Sequence, residues 1–130
     1  IFEIARKNDF KVVCFIAPTT TDQRVSLITQ KAQGFLYYIS VVGITGIRDK
    51  LPDGIIQNIN KLKQMTNIPV AVGFGVSTSE HAKLIGTVAD GVIVGSAIMR
   101  EIEKYAKKPS EELVRGVGEF VGQLISGAKG

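Results

Sequence analysis

Cysteine, long apolar runs and clusters of metal ligands are scarce or missing in this sequence of 130 residues. Cys14 is the one cysteine, so no disulfide can form within the chain, and the reducing cytoplasm suits it. The longest apolar run, from Val12 to Ala17, is much shorter than the roughly 20 residues that span a bilayer. We therefore expect no membrane partner, and we also expect no secretory leader and no bound metal.

The positive net charge of the chain suggests a nucleic-acid partner, but the distribution of the charges argues against one. Its formal net charge is +4, because 16 basic residues stand against 12 acidic ones. The basic side chains are spread over predicted helix faces among acids, and no exposed aromatic side chains accompany them for base stacking. We expect no nucleic-acid binding, and only a weak attraction for anionic substrates.

The residues that are present form a repeated α/β pattern. Hydrophobic residues make up 45% of the chain, which suffices for the core of one domain or of part of one. Residues 1–9 are typical of the tail of a helix that enters a strand. Continuous apolar runs, as in the strands of a buried parallel sheet, alternate with helical patterns and cover residues 11–18, 35–42, 69–76 and 90–96.

Apolar residues at helical spacing predict a helix after each of these runs. They are Val25, Ile28 and Ala32; Ile55, Ile56, Ile59 and Leu62; Ala82, Ile85 and Ala89; and the block from Leu113 to Ile125. The predicted start signals are capping boxes at Thr20–Gln23 and Ser77–Glu80, N-caps at Ser96 and Ser110, and Pro52 in a first turn. In the last helix, we expect close packing on a strand at Gly116, Gly118 and Gly122.

Four βα units preceded by a truncated helix amount to half of a (β/α)₈ barrel, whose full form has about 250 residues. We therefore predict that residues 1–130 form half of a single TIM-barrel domain of the α/β class. The rival fold is a small, open, doubly wound sheet of four strands, which the pattern alone does not exclude.

Two junctions between a strand and a helix carry glycine, and they are the strongest functional signal in the sequence. Residues 70–77 contain Gly73 and Gly75, and residues 92–97 contain Gly95 followed by Ser96. Glycine lets an anion approach the backbone, and a helix N-terminus offers unpaired N–H groups and partial positive charge. Since (β/α)₈ barrels often hold a phosphate at the loops after strands 7 and 8, we predict a phosphate site here.

A dinucleotide site fits these glycines poorly. The pair Gly73 and Gly75 begins a G-x-G-x-x-G pattern, but Thr78 stands where the third glycine belongs. The acidic residue expected about 20 positions further on is at best Asp90, which begins the next strand. A single phosphate is therefore the favoured ligand.

Several motifs together resemble the C-terminal half of the tryptophan synthase α subunit family. They are Phe15–Thr20 (FIAPTT), Gly34–Ser40 (GFLYYIS), Gly43–Gly46 (GITG), Val72–Ser77 (VGFGVS) and Gly95–Ile98 (GSAI). The resemblance covers almost the whole chain in order, and it implies strands 5–8 of a TIM barrel. It also implies a cytoplasmic lyase of tryptophan biosynthesis, which cleaves indole-3-glycerol phosphate into indole and glyceraldehyde 3-phosphate by a retro-aldol reaction.

The resemblance also implies roles for individual residues. The phosphate would be held by Gly46, Gly75, Gly95 and Ser96, largely through backbone N–H groups. Gly73 would allow close approach of the substrate, Phe74 and Tyr37 would line its pocket, and Thr45 would lie on a mobile loop that closes over the site. Tyr37 and Tyr38 must face opposite sides of their strand, and the resemblance selects Tyr37 as the inner one.

No catalytic residue is expected in this chain, because the family's catalytic glutamate and aspartate belong to earlier strands and loops. The acids Asp22, Glu80, Glu101 and Glu103 fall in predicted helices, and we interpret His81 as structural. The resemblance implies no cofactor for this subunit, and it implies the tryptophan synthase β subunit as a partner of the full-length protein.

Two other functions stay open at this point. One is another phosphate-binding barrel enzyme, such as a phosphosugar isomerase or a cyclase of histidine synthesis. The other is a non-catalytic half-barrel, which would associate with itself because a half-barrel leaves two strand edges unpaired.

Overall fold

The computed structural model describes residues 1–40, 51–73 and 75–129. Within them lie four strands, β1 (Cys14–Ile16), β2 (Leu36–Ile39), β3 (Val70–Gly73) and β4 (Gly91–Val92). The helices are α1 (Phe2–Lys7), α2 (Asp22–Thr29), α3 (Ile55–Met65), α4 (Ser79–Gly86), α5 (Ser96–Lys104) and α6 (Ser110–Lys129). A helix is therefore present within residues 1–9, where the sequence predicted helical structure. None of the helices described is long and apolar enough to cross a membrane.

The four strands form one parallel sheet in the order β1-β2-β3-β4. Each crossover therefore moves one place in the same direction along the sheet. A doubly wound sheet reverses direction at a switch point, whereas a (β/α)₈ barrel does not. The strand order confirms the predicted half-barrel and rules out the rival open sheet.

Among the described residues, the core lies on one face of the sheet. Ile16, Tyr38 and Val72 point toward the helices and pack with apolar residues of α2, α3, α4 and α6. On the other face the Phe15 side chain is 56% exposed and Tyr37 is half-buried. The helices thus cover the outside of a half-barrel, and Tyr38 faces them while Tyr37 faces the inside, as expected from strand alternation.

Helices α4 and α6 pack against each other through small residues. A Cβ added to Gly127 of α6 would lie 2.4 Å from the Ser79 carbonyl oxygen, and one added to Gly86 of α4 would lie 2.4 Å from the Ala128 carbonyl oxygen. Because backbone atoms would be struck in both cases, these two glycines allow the close approach of the helices.

The prediction that three other glycines of α6 pack on a strand is wrong. Gly116 lies under the Tyr105 ring, which follows α5, and Gly118 and Gly122 have no atom within 4 Å of an added Cβ. Helical spacing shows which residues share a face, but the neighbour of that face depends on the tertiary arrangement.

The predicted helix starts are each displaced. The Thr20 hydroxyl accepts a hydrogen bond from the Ala17 N–H at 3.0 Å, and Thr21 is the N-cap of α2. Ser77 and Ser96 likewise lie one residue away from the N-caps of α4 and α5, which are Thr78 and Gly95.

The predicted starts of α6 and α3 are displaced as well. Ser110 is already the first residue of α6, and Pro52 precedes Gly54, the N-cap of α3. The cap is decided by where the chain leaves the preceding loop, which a local motif does not specify.

The observed elements are also shorter than the predicted runs. Strand β4 has two residues where residues 90–96 were expected, because only β3 pairs with it. Ala32 and Ala89 lie beyond the ends of α2 and α4, although both still pack against the core. The spacing of apolar residues indicates which residues are buried, and it does not show where a helix ends, because residues after the helix can also be buried.

Candidate phosphate-binding site at the ends of β3 and β4

The register of β3 and β4 places the two glycine junctions side by side. Val72 pairs with Val92 in the parallel ladder, and the Ile93 N–H donates to the Val72 carbonyl oxygen at 2.8 Å. Gly75 and Gly95 each follow their paired valine by three residues. Both glycines therefore lie beyond the same end of the sheet, each three residues after its paired valine, as the sequence predicted.

Gly75 has a backbone conformation that glycine adopts most readily. Its φ is +89°, in the region that side chains with a Cβ disfavour. The turn after β3 therefore depends on this residue, and it brings the chain toward Thr78, which caps α4.

The N-terminus of α5 presents donors that no side chain of the helix satisfies. Gly95 is its N-cap, with no side-chain cap hydrogen bond, and the first turn contains no acidic residue. Gly95 and Ser96 are exposed, and a Cβ added to Gly95 would meet nothing within 4 Å. The start of α5 is therefore exposed, without a side-chain cap and without an acidic residue in its first turn, and a helix N-terminus of this kind stabilises an anion.

The N-terminus of α4 differs, because a side chain of its own N-cap residue already accepts a hydrogen bond from one of its backbone N–H groups. The Thr78 hydroxyl accepts a hydrogen bond from the His81 N–H at 3.2 Å. Hydrogen bonds from the backbone N–H of Glu80 and from the Thr78 and Ser79 hydroxyls lower the pKa of the Glu80 carboxyl, which keeps a negative charge in this first turn. The idea that both helix N-termini offer bare donors is therefore correct only for α5.

An aromatic surface adjoins the junction on the inner face of the sheet. The rings of Phe15 and Tyr37 lie 5.0 Å apart between centroids. The Tyr37 side chain also covers Gly73, where an added Cβ would lie 2.1 Å from the Tyr37 hydroxyl oxygen. Burial raises the pKa of the Tyr37 phenol, so it stays protonated at neutral pH and can donate a hydrogen bond.

Two residues near the site belong to the motifs quoted above but received no individual role from the sequence. Phe15 forms part of the aromatic surface, and its alternation with the buried Ile16 was the available signal. The buried Ser40 hydroxyl donates to the Gly73 carbonyl oxygen at 2.9 Å, which ties the end of β2 to the end of β3. The bond to Gly73 spans 33 positions, so no local pattern reveals it.

Three predicted site residues lie outside the residues that the structure describes. They are Thr45 and Gly46 of the predicted loop and Phe74 between the two glycines of the first junction. Their roles remain predictions. Among the described residues, Tyr37 contacts the position of Gly73, and the pairing of Val72 with Val92 makes the two glycine junctions begin side by side.

The acids considered for catalysis all lie in helices, as expected. Asp22 at the start of α2 pairs with Lys61 of α3 at 2.7 Å, and Glu101 pairs with Lys104 within α5. Glu80 belongs to α4 and Glu103 to α5. Across the described ranges, no group of three His, Cys, Asp or Glu side chains could hold a metal ion.

The chain matches the family model of the tryptophan synthase alpha chain over residues 1–128. It belongs to the tryptophan synthase alpha chain family. It is 39% identical over 124 residues to the tryptophan synthase alpha chain of Chloroflexus aurantiacus, with 95% of this chain and 46% of the relative covered. It is 42% identical over 125 residues to that of Rhodopirellula baltica, with 94% and 45% covered.

Solved structures of alpha chains have the same fold. The tryptophan synthase alpha chain of Legionella pneumophila matches with a TM-score of 0.80 at 30% identity, over 98% of this chain and 46% of that one. The A-subunit from Pyrococcus furiosus matches with a TM-score of 0.74 at 36% identity, over 93% and 49%. The chain thus spans a little under half the length of these tryptophan synthase alpha chains, and the half-barrel is a part of their TIM barrel.

Proposed function

We propose that this chain carries the phosphate-binding half of a lyase that cleaves indole-3-glycerol phosphate into indole and glyceraldehyde 3-phosphate. The observation that carries the proposal is the pair of glycine junctions, brought together by the Val72–Val92 register beside the uncapped N-terminus of α5. The full protein would be a cytoplasmic enzyme of tryptophan biosynthesis, without a cofactor of its own in this subunit and with the tryptophan synthase β subunit as its partner.

The phosphate end of the substrate would lie at the α5 N-terminus. Backbone N–H groups at Gly75 and Gly95 and the Ser96 hydroxyl would bind it, with Gly46 as a further donor. A dianionic phosphate gains from the partial positive charge of a helix N-terminus, and the absence of an acidic residue in the first turn of α5 removes one source of repulsion.

The indole end of the substrate would lie along the inner face of the sheet. Tyr37 and Phe74 would line the pocket there, and Gly73 would let the substrate approach the backbone at the end of β3. Thr45 would lie on the loop that closes over the site. A closed loop favours the reaction because it excludes water from the proton transfers.

The proton transfers themselves need groups that we place outside this chain. Retro-aldol cleavage delivers one proton to C3 of the indole and removes another from a glycerol hydroxyl, each through a group within hydrogen-bond reach. The acids Asp22, Glu80, Glu101 and Glu103 lie in helices. We therefore propose that the acid and the base belong to the other half of the barrel, and that the 130 residues alone are inactive.

An indole-release assay with two polypeptides tests whether phosphate binding belongs to this chain and the proton transfers to the other half of the barrel. The purified chain alone is expected to show no turnover, because each missing proton transfer costs about 10²–10⁴-fold in rate. Adding the preceding half of the Chloroflexus aurantiacus relative as a separate polypeptide should restore release of indole. In that mixture Gly95→Val should raise KM far more than it lowers kcat, since it blocks phosphate binding and leaves the proton transfers in place. Turnover by the purified chain alone would contradict the proposal.

A further inference from the structure

Ser40 follows the last residue of β2 and places a hydroxyl in the core. It continues the row of side chains that faces the helices, after Leu36 and Tyr38, and each of these residues is at most 2% exposed. A buried hydroxyl costs free energy unless it is hydrogen-bonded, so packing alone favours an apolar residue at this position. The hydrogen bond that the hydroxyl makes is what distinguishes serine from alanine here.

Both donors of Ser40 converge on one carbonyl oxygen of β3. The Ser40 hydroxyl donates to the Gly73 carbonyl oxygen at 2.9 Å, and the Ser40 backbone N–H donates to the same oxygen at 3.2 Å. The N–H continues the parallel ladder beyond its last pair, Ile39 with Gly73. Because the hydroxyl adds a second bond, this carbonyl group is held more firmly than the ladder alone would hold it.

Gly73 is a residue at which a second bond has a large effect. It ends β3, and the chain leads from it to Gly75, whose φ is +89°. Glycine has the greatest conformational freedom of all residues, and fixing it costs correspondingly more entropy. Since each peptide unit is planar, the direction of the Gly73 carbonyl bond sets the direction in which the chain leaves β3.

We infer that Ser40 is a positioning residue of the phosphate site. Its side chain lies on the helix-facing side of the sheet, away from the inner face, so it acts through Gly73 and not by contact with a ligand. The hydroxyl orders the start of the turn that carries Gly75. A turn that is ordered before phosphate arrives loses less entropy on binding, so affinity rises without an added contact. The inference rests on the phosphate site of the proposed function and is independent of the cleavage step.

The opposite end of β3 provides a matched control. There the Asp90 carboxylate accepts a hydrogen bond from the Val70 N–H at 2.8 Å, which is again a bond between a side chain and the backbone of β3. Val70 begins the strand and Gly73 ends it, so Asp90→Asn perturbs the same strand away from the phosphate site. If Ser40 only stabilised the sheet, Ser40→Ala and Asp90→Asn would affect phosphate binding alike.

Backbone order in the free chain is the first measurement, by nitrogen NMR relaxation. In the parent, the order parameter of the Gly75 amide should be close to the value of rigid backbone, about 0.85. It should fall in Ser40→Ala, because the carbonyl at the start of the turn has lost one of its two donors. It should keep the parent's value in Asp90→Asn. The amide spectra of α3 and α4 report whether each variant is folded.

Titration of the same variants with inorganic phosphate is the second measurement. The amide shifts of Gly75, Gly95 and Ser96 should give an affinity about threefold to tenfold weaker in Ser40→Ala. Apparent affinity falls with the population of the binding-competent turn, and one hydrogen bond changes such a population by about this factor. Asp90→Asn should bind as the parent does. Ser40→Cys, which keeps a weaker donor of similar size, is the second variant and should lie between the parent and Ser40→Ala.

The possible failures of the inference and of the phosphate site are distinguishable. If the parent binds phosphate at these amides, an unchanged affinity or an unchanged Gly75 order parameter in folded Ser40→Ala would overturn the inference alone. An equal loss of affinity in Asp90→Asn would also overturn it, because it would assign Ser40 to general stability. A parent chain whose Gly75, Gly95 and Ser96 amides do not respond to phosphate would overturn the proposed site, and this inference with it.

Discussion

The Tyr37 side chain occupies the space that a side chain at Gly73 would need. Tyr37 pairs with Ala71 across β2 and β3, so Gly73 is its diagonal neighbour on the same face. An added Cβ at Gly73 would lie 2.1 Å from the Tyr37 hydroxyl oxygen and 2.5 Å from its Cζ. The position of this ring beside the phosphate junction therefore depends on a glycine in the next strand.

Gly73→Ala should displace the Tyr37 ring and lower the free energy of unfolding by about 1–3 kcal/mol, as overpacking of a well-packed site does. Urea denaturation of both single variants and of Gly73→Ala with Tyr37→Ala measures the coupling. The double variant should lose less stability than the sum of the singles, because the small residue at 37 makes room. Gly95→Ala, with open space around its Cβ, should change stability little. Additive effects would contradict the interpretation of the contact.

Gly75→Ala should destabilise the chain by about 1–2 kcal/mol, because φ of +89° is strained for alanine. Thermal and urea denaturation measure the loss. Gly122→Ala serves as the control, since Gly122 lies in α6 with open space around it and alanine there should add up to about 1 kcal/mol of stability. Equal effects of the two substitutions would mean that the turn after β3 does not need glycine.

Asp90 holds the start of β4 against β3. One of its carboxylate oxygens accepts from the Lys63 ammonium at 2.7 Å, and the other accepts from the Val70 N–H at 2.8 Å. The hydrogen bond from Lys63, followed by that from Val70, lowers the pKa of Asp90. Asp90→Asn should therefore cost about 1 kcal/mol at pH 7, a moderate value because both side chains are partly exposed.

The pH dependence of that loss has a defined sign. A carboxyl whose folded pKa is lowered adds stability above its unfolded pKa of about 3.9, and this stability disappears as the pH falls through the folded value. The difference between parent and Asp90→Asn should accordingly shrink below about pH 4. Asp22→Asn is the control, because Asp22 and Lys61 are both mostly exposed and their pair should contribute little. A difference that grows in acid would contradict this account.

The alternation of strands and helices along the chain, and the two glycine junctions, could be predicted from the sequence. Short β-branched runs, each followed by glycine, mark strand ends locally, and residues 70–77 needed no tertiary information to be recognised. Their meeting at one end of the sheet follows from the parallel arrangement, since successive strands then end at the same side. The strand order itself required the structure, because a doubly wound sheet has the same apolar pattern.

Features that depend on residues distant in the chain could not be predicted. The contact of Tyr37 with Gly73 requires the register of β2 against β3, and the Ser40 hydrogen bond requires the same register. The sequence also did not show that α4 has a side-chain cap and α5 has none. The N-cap of α4 is one residue further along than predicted, so the Thr78 hydroxyl accepts a hydrogen bond from the His81 N–H, whereas no side chain caps α5.

Phosphate titration followed by amide NMR shifts tests the central claim most directly. With inorganic phosphate or glycerol phosphate, the amides of Gly75, Gly95 and Ser96 should shift together, and weakly, because these small ligands lack the indole end of the proposed substrate. Gly95→Val should weaken binding by at least about tenfold, equivalent to roughly 1.4 kcal/mol, without loss of the fold, because a side chain there projects into open space at the α5 N-terminus. Gly122→Val, equally open but on α6, should bind as the parent does. Unchanged affinity in a folded Gly95→Val chain would contradict the assignment of the phosphate site.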